Sequence, residues 1–255
     1  MTILYFTGTG NSLYIAKSIG DRLLSIPQMI KENKHHFEDD VIGFVYPCHG
    51  WGVAKMVRNF IRSSTFRADY FFAIMTYGNT PNSGLKNMEQ VAGEAGINFD
   101  YVNEILMVDN YLPNFEMEEE SEKEALKEIG KQLTAIISDI ISRRINRIEK
   151  GRESDEISMH GRMMADKLTP GYAMENFLVN NTCNGCKTCA RVCPAGNIEV
   201  QEKPEFSHKC EICFACIHLC PQKAIHLPDE KSCARFLNPN ISVREIIESN
   251  NRRNT

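Results

Sequence analysis

No stretch of the 255 residues approaches the roughly eighteen consecutive apolar residues that a membrane-spanning helix requires, so the sequence asks for no bilayer. The net charge is only −4, with no excess of basic residues to meet a nucleic acid or an anionic surface. No signal-like apolar segment opens the chain. Its ten cysteines are therefore expected in a reducing, cytoplasmic setting as metal-ready thiols, not as disulfides. No His follows a Cys-x-x-Cys pair, which excludes covalent haem attachment. Neither a nicotinamide fingerprint nor a fixed catalytic pair of side chains stands out, and there is a single tryptophan, Trp51.

What the chain does have is a duplicated cysteine frame. Cys183, Cys186, Cys189 and Cys193-Pro194 form one C-x2-C-x2-C-x3-C-P run, and Cys210, Cys213, Cys216 and Cys220-Pro221 form a second. The repeat continues past the cysteines, with Ile198 and Ile225 at the same offset. This is the bacterial iron–sulfur run in which the fourth Cys ligates the other cluster. Three thiolates on one tight loop can each reach a different iron of one cubane, the fourth comes from the opposite side, and the proline stops the local turn. The crossed sets are Cys183, Cys186, Cys189 and Cys220, and Cys210, Cys213, Cys216 and Cys193. Two four-cysteine zinc knuckles would also use C-x2-C pairs, but they need neither the third cysteine nor the repeated Cys-Pro. With short strands expected at 177–179, 198–201 and 224–227, residues 177–228 resemble the bacterial two-cluster ferredoxin. The resemblance implies two 4Fe-4S clusters on a small α+β domain.

The N-terminal part reads as alternating strands and helices. Ile3–Phe6 is a short apolar run, followed by Thr7-Gly8-Thr9-Gly10-Asn11-Ser12 and then apolar residues at helical spacing (Ile15, Ala16, Ile19, Leu23). A turn into a helix N-terminus leaves unpaired N–H groups and a dipole that favours an anion. The loop has no Lys, which excludes a P-loop, and Leu13 stands where the dinucleotide fingerprint needs a third small residue. T-G-T-G-N-S directly after the first strand resembles the FMN-phosphate loop of flavodoxins. The bland alternative is a βα turn capped by Asn11 or Ser12.

Two further strands, Val41–Tyr46 and Asp69–Thr76, lack polar alternation, as strands buried on both faces do. Each runs into a loop: Pro47-Cys48-His49-Gly50-Trp51-Gly52, and Tyr77-Gly78-Asn79-Thr80-Pro81-Asn82. Ligands of open α/β sheets lie beyond the carboxyl ends of the strands, so three loops can converge on one ligand. The flavodoxin resemblance places a flavin ring against Trp51 and Tyr77, with Pro47, His49, Gly50, Gly52, Gly78 and Asn79 around it. Trp51 could equally pack on the following helix. Asp109-Asn110-Tyr111, after a strand at 101–108, is a further candidate cover.

A helix is expected at Leu85–Ala95, and one long helix from the acidic segment 116–124 through Ile148, basic at its end as its dipole favours. Residues 151–156 read as a linker, 157–176 as interdomain packing, and 238–255 as a short helix at 243–247 with a frayed polar end. Cys48 lines its loop, and Cys233 is a spare thiol. The division is thus 1–150 (flavodoxin-like, a doubly wound five-stranded parallel sheet binding FMN), 151–176, 177–228 (ferredoxin-like) and 229–255. In this order the chain resembles the flavodoxin–ferredoxin fusion proteins of anaerobic bacteria and archaea. That resemblance implies an electron-transfer protein that couples FMN to two clusters between redox partner proteins. A flavin-dependent reductase of a small substrate is the alternative.

Overall fold

The computed structural model describes residues 1–20, 22–148 and 177–251. Strands β1 (Thr2–Tyr5), β2 (Arg22–Ser25), β4 (Val41–His49), β7 (Tyr70–Tyr77) and β8 (Tyr101–Leu106) lie side by side in the order β2-β1-β4-β7-β8. Every neighbouring pair is parallel. Counting these five alone, the order is 2-1-3-4-5, the doubly wound flavodoxin-like arrangement. Strands β3 (His36–Glu38) and β6 (Thr65–Arg67) form a separate parallel pair.

Side chains alternate across a strand, and the core divides accordingly. Ile3 and Tyr5, Val45, and Phe72 and Ile74 face one hydrophobic cluster, with α1 (Asn11–Ile19) and α6 (Ile129–Ile141). Leu4 and Phe6, Phe44 and Tyr46, and Ala73 and Met75 face the other, with α3 (Lys55–Arg62) and α4 (Gly84–Glu94). Because both faces are covered, β4 and β7 carry no polar alternation.

The cysteine-rich part supplies two short antiparallel pairs. One joins β10 (Ile198–Val200) to β11 (Pro204–Phe206), and the other joins β9 (Leu178–Val179) to β12 (Ile225–His226). Its helices are α7 (Thr188–Val192) and α8 (Ala215–His218), followed by α9 (Val243–Asn250). Val192, Ala215, Leu219, Ile241 and Ile246 are buried in the same cluster as Ile3 and Val45. The two halves therefore share a hydrophobic core.

Several elements differ from the sequence reading. The sheet has a sixth strand, β5 (Gly52–Val53), antiparallel to the end of β4, so Pro47–His49 is strand and not loop. The long helix is broken into α5 (Met117–Glu122), a 3₁₀ turn (Lys123–Lys127) and α6, with Glu128 in the left-handed region at φ 46. The break buries Lys127, whose Nζ reaches the Met107 carbonyl at 2.6 Å and Glu120 at 3.0 Å. A buried charge needs such partners, and a continuous helix would not bring Lys127 to that carbonyl. The basic residues Arg143, Arg144 and Arg147 consequently follow the helix and do not close it. The tail is not frayed at 248–250. Its helix runs to Asn250, which is buried and donates to the Val192 carbonyl at 2.8 Å. The linker and packing segment expected at 151–176 lie outside the described residues.

Gly43 in β4 sits directly beneath the Phe72 ring of its neighbour: an added Cβ would lie 2.0 Å from Phe72 Cζ. Gly43→Ala is expected to lower the unfolding free energy by about 1–3 kcal/mol, read as an earlier midpoint in anaerobic chemical denaturation.

Candidate functional site

The carboxyl ends of β4, β7 and β8 open into a cavity of about 400 Å³. His49, Gly50 and Trp51 line one side, Tyr77, Gly78 and Asn79 the second, and Asp109, Asn110 and Tyr111 the third. The roof is Cys210, Glu211, Ile212 and Phe214, from the second cysteine run. Six of the ring-contact candidates are thus brought together. Pro47 and Gly52 do not line the cavity; Gly52 pairs with His49 to close the β4–β5 hairpin. The two residues between them, Gly50 (φ 53) and Trp51 (φ 64), both have positive φ, the pattern of a type I′ turn. A bulky residue there is strained, and the turn puts Trp51 on the cavity rim, 36% exposed.

The Thr7–Ser12 loop lies beside the cavity and does not line it. Asn110 links the two, lining the cavity and donating from Nδ2 to Thr9 Oγ1 at 2.7 Å. The loop is buried except for half-buried Asn11. Gly10, at φ 101, allows the chain to enter α1, and its N–H donates to Thr7 Oγ1. Among the described residues, the backbone N–H groups of Gly8, Thr9, Asn11, Ser12 and Leu13 have no acceptor. Buried donors without partners at a helix N-terminus are an anion cradle. The side chains contribute less than the sequence suggested. The Asn11 amide is taken up by the Val108 carbonyl and Asn238, and the Ser12 hydroxyl by Thr76.

Burial sets the electrostatics. His49 is pushed down to about 4 by desolvation, so its ring is neutral, packed edge-on to Phe6. Burial raises Asp109, and the nearby Glu120 carboxylate adds to the effect. Glu211 is also raised by burial; its carboxylate accepts the Met56 N–H at 3.0 Å and thereby caps α3 from the cysteine loop.

The two cysteine runs adopt one backbone twice. Gly185 and Ile212, Lys187 and Phe214, and Gly196 and Lys223 occupy equivalent positions, and all six have positive φ. Such αR–αL alternation turns successive N–H groups toward one centre. Cys183, Cys186, Cys189 and Cys220 line a single cavity, so the fourth thiol comes from the other run. In the second set, Cys193 is the neighbour that helps burial raise Cys210 (to about 11) and Cys213. Asn197 N–H donates to Cys193 Sγ and Ala224 N–H to Cys220 Sγ, both at 3.3 Å, at matching positions of the repeat. No three His, Cys, Asp or Glu side chains among the described residues converge tightly enough for one ion. Cys48 also lines the sheet-end cavity, and Cys233 is exposed outside both sets.

The sequence reading missed Lys55, Glu211 and Phe214 in the cavity, and also Asn238 and His218 behind it. Glu211 lay inside the recognised motif, but nothing local marks a motif residue that caps a distant helix.

Residues 176–221 match the 4Fe-4S dicluster domain family. The chain therefore carries a C-terminal 4Fe-4S dicluster domain. It is 51% identical over 47 residues, 18% of each chain, to a component of the ion-translocating oxidoreductase complex of Methanosarcina acetivorans. It is 34% identical over 67 residues, 23% of this chain and 43% of the other, to YsaA of Escherichia coli strain K12, a protein named for electron transport. These relatives are matched over less than half of their length. The Trp repressor binding protein of Bacillus subtilis superposes with TM-score 0.36 at 13% identity, over 57% of this chain and all of that one. So distant a superposition decides nothing, and the N-terminal fold is assigned from its strand order.

Asp109→Asn tests the buried carboxyl. A carboxyl whose folded value is raised contributes stability below its unfolded value, lost as pH rises through the folded one. The variant keeps an acceptor for the Tyr111 N–H, which Asp109 Oδ1 now receives at 3.0 Å. It is expected to melt increasingly above wild type as pH rises from about 4, the ordinary carboxylate range, to 7, measured by thermal denaturation across pH.

Proposed function

We propose that the chain is an electron-transfer protein that couples FMN, held by the N-terminal sheet, to two 4Fe-4S clusters, and relays low-potential electrons between redox partner proteins. The observation that carries this reading is the shared cavity: the loops at the sheet's carboxyl ends form its walls, and a cluster-binding run forms its roof. The relatives named for oxidoreduction and electron transport point the same way.

In this reading Cys183, Cys186, Cys189 and Cys220 hold one cluster, and Cys210, Cys213, Cys216 and Cys193 the other. The N–H donors on Cys193 and Cys220 tune the sulfur electron density. Burial raises Cys189 and Cys210 to about 11 and keeps them as thiols until they are ligated. Loading the site therefore releases protons. The first set includes exposed Cys186, whereas in the second Cys216 is buried and Cys213 is half-buried against the core of the sheet domain. The Thr7–Ser12 loop would hold the FMN phosphate by its unpartnered N–H groups. Trp51 and Tyr77 would flank the ring, and Asn79 would bond its polar edge. FMN exchanges one or two electrons and a cluster one, and covalent linkage fixes a high effective concentration between them.

Half-buried His49, held neutral by desolvation, is a poor proton donor, which favours a relay over a reductase. Asp109 and Tyr111 remain the candidate acids if a small substrate enters the cavity.

Anaerobically purified protein is expected to contain about eight irons and to release FMN on denaturation. Cys193→Ser is expected to change the electron paramagnetic resonance signal of the cluster that Cys210→Ser changes, and to spare the one altered by Cys186→Ser. Loss of the Cys186 cluster in Cys193→Ser would overturn the crossed assignment, and iron-free protein would overturn the whole reading.

A further inference from the structure

The phosphate-type loop is held from a part of the chain that the motif does not include. Asn238 is fully buried, on the segment between the cluster domain and α9. Its backbone N–H donates to the Thr9 carbonyl at 2.9 Å and its Nδ2 to Asn11 Oδ1 at 3.0 Å. Its Oδ1 accepts the Asn240 N–H at 3.0 Å, so both ends of the amide are engaged. Asn11 passes the restraint on, donating to the Val108 carbonyl at 3.1 Å. Gly10 is pressed against the same segment: an added Cβ would lie 3.1 Å from both Asn238 Cβ and Ile241 Cβ.

A second arm of the same ring runs through the cluster domain. The Phe236 N–H donates to His218 Nδ1 at 3.1 Å, which puts the imidazole proton on Nε2, 2.9 Å from the Asn110 carbonyl. Asn110 Nδ2 then donates to Thr9 Oγ1. Thr9 is thus gripped from its carbonyl by Asn238 and from its hydroxyl by Asn110. Its own N–H, and those of Asn11 and Ser12, have no acceptor among the described residues.

We infer that Asn238 is a positioning residue for phosphate at this loop: the segment after the cluster domain completes an anion site whose donors all lie in the first turn of the sheet domain. The inference rests on the FMN reading and assigns the phosphate half of that site a requirement the N-terminal half cannot meet alone. Losing the Asn238 amide frees Asn11 Oδ1 to turn inward as an acceptor, toward the anion it should not meet.

The test compares FMN with riboflavin, which carries the same ring without phosphate. Cluster-loaded, deflavinated wild type, Asn238→Ala and Asn238→Asp are titrated with each, followed by quenching of flavin fluorescence, with iron content and melting temperature recorded. Asn238→Ala is expected to bind FMN about tenfold more weakly and riboflavin unchanged. Asn238→Asp, which sets a carboxylate beside Asn11 Oδ1, is expected to lose more for FMN and nothing for riboflavin. Equal losses for both ligands, or FMN binding unchanged in both variants, overturn the inference. Wild type that binds neither flavin overturns the FMN reading itself.

Discussion

The arrangement depends on one close approach. Gly8 lies so near the second cysteine run that an added Cβ would be 2.6 Å from the Cys213 carbonyl oxygen. No other residue has a side chain small enough to allow it. Three further contacts fix the same junction from different directions: Glu211 capping α3, Phe214 tilted against Tyr111 at 5.6 Å, and Ala215 and Leu219 in the sheet's core. The cysteine run is therefore part of the folded body of the sheet domain. Such a junction holds the two at a fixed distance.

The polar contacts at this junction are buried, so their completeness matters more than their number. Thr9, His218 and Asn238 are each at most 5% exposed. An unsatisfied polar group there would cost about 1–3 kcal/mol. His218 has a donor on one ring nitrogen and an acceptor on the other, an arrangement that only the neutral imidazole can satisfy, and burial holds it near 4. The ring of bonds therefore keeps its geometry across the neutral range. The backbone N–H groups of Gly8, Thr9, Asn11 and Ser12 are the exception, with no acceptor among the described residues.

Much of this was legible in the sequence, for physical reasons that differ by element. The C-terminal 4Fe-4S dicluster domain could be read because its cysteine spacing is written twice. The central strands could be read because burial on both faces leaves long apolar runs. Strand β2 escaped, since Arg22–Ser25 is short, sits at the sheet edge and is only partly buried. The broken helix escaped because Lys127 and Glu120 look like surface charges until Met107 is brought to them by the fold. Asn238 escaped most completely: an asparagine in a polar tail has no local signal, and its partners in the first loop, Thr9 and Asn11, are more than 220 positions away in the chain.

The glycines of the first loop show how one signal can have two causes. Gly8 and Gly10 read as the mark of a phosphate loop, where the backbone must approach a ligand. In the folded chain, Gly8 is required by the Cys213 carbonyl and Gly10 by Asn238, Ile241 and a φ of 101. Both demands come from the C-terminal half. The two explanations do not compete, because a loop that must present its N–H groups on one side is free to be gripped on the other. A free-standing sheet domain would have to shape this loop by itself. Here the cluster domain and its trailing segment pack against it and hold it by hydrogen bonds, so one half of the chain carries the loop and the other half restrains it.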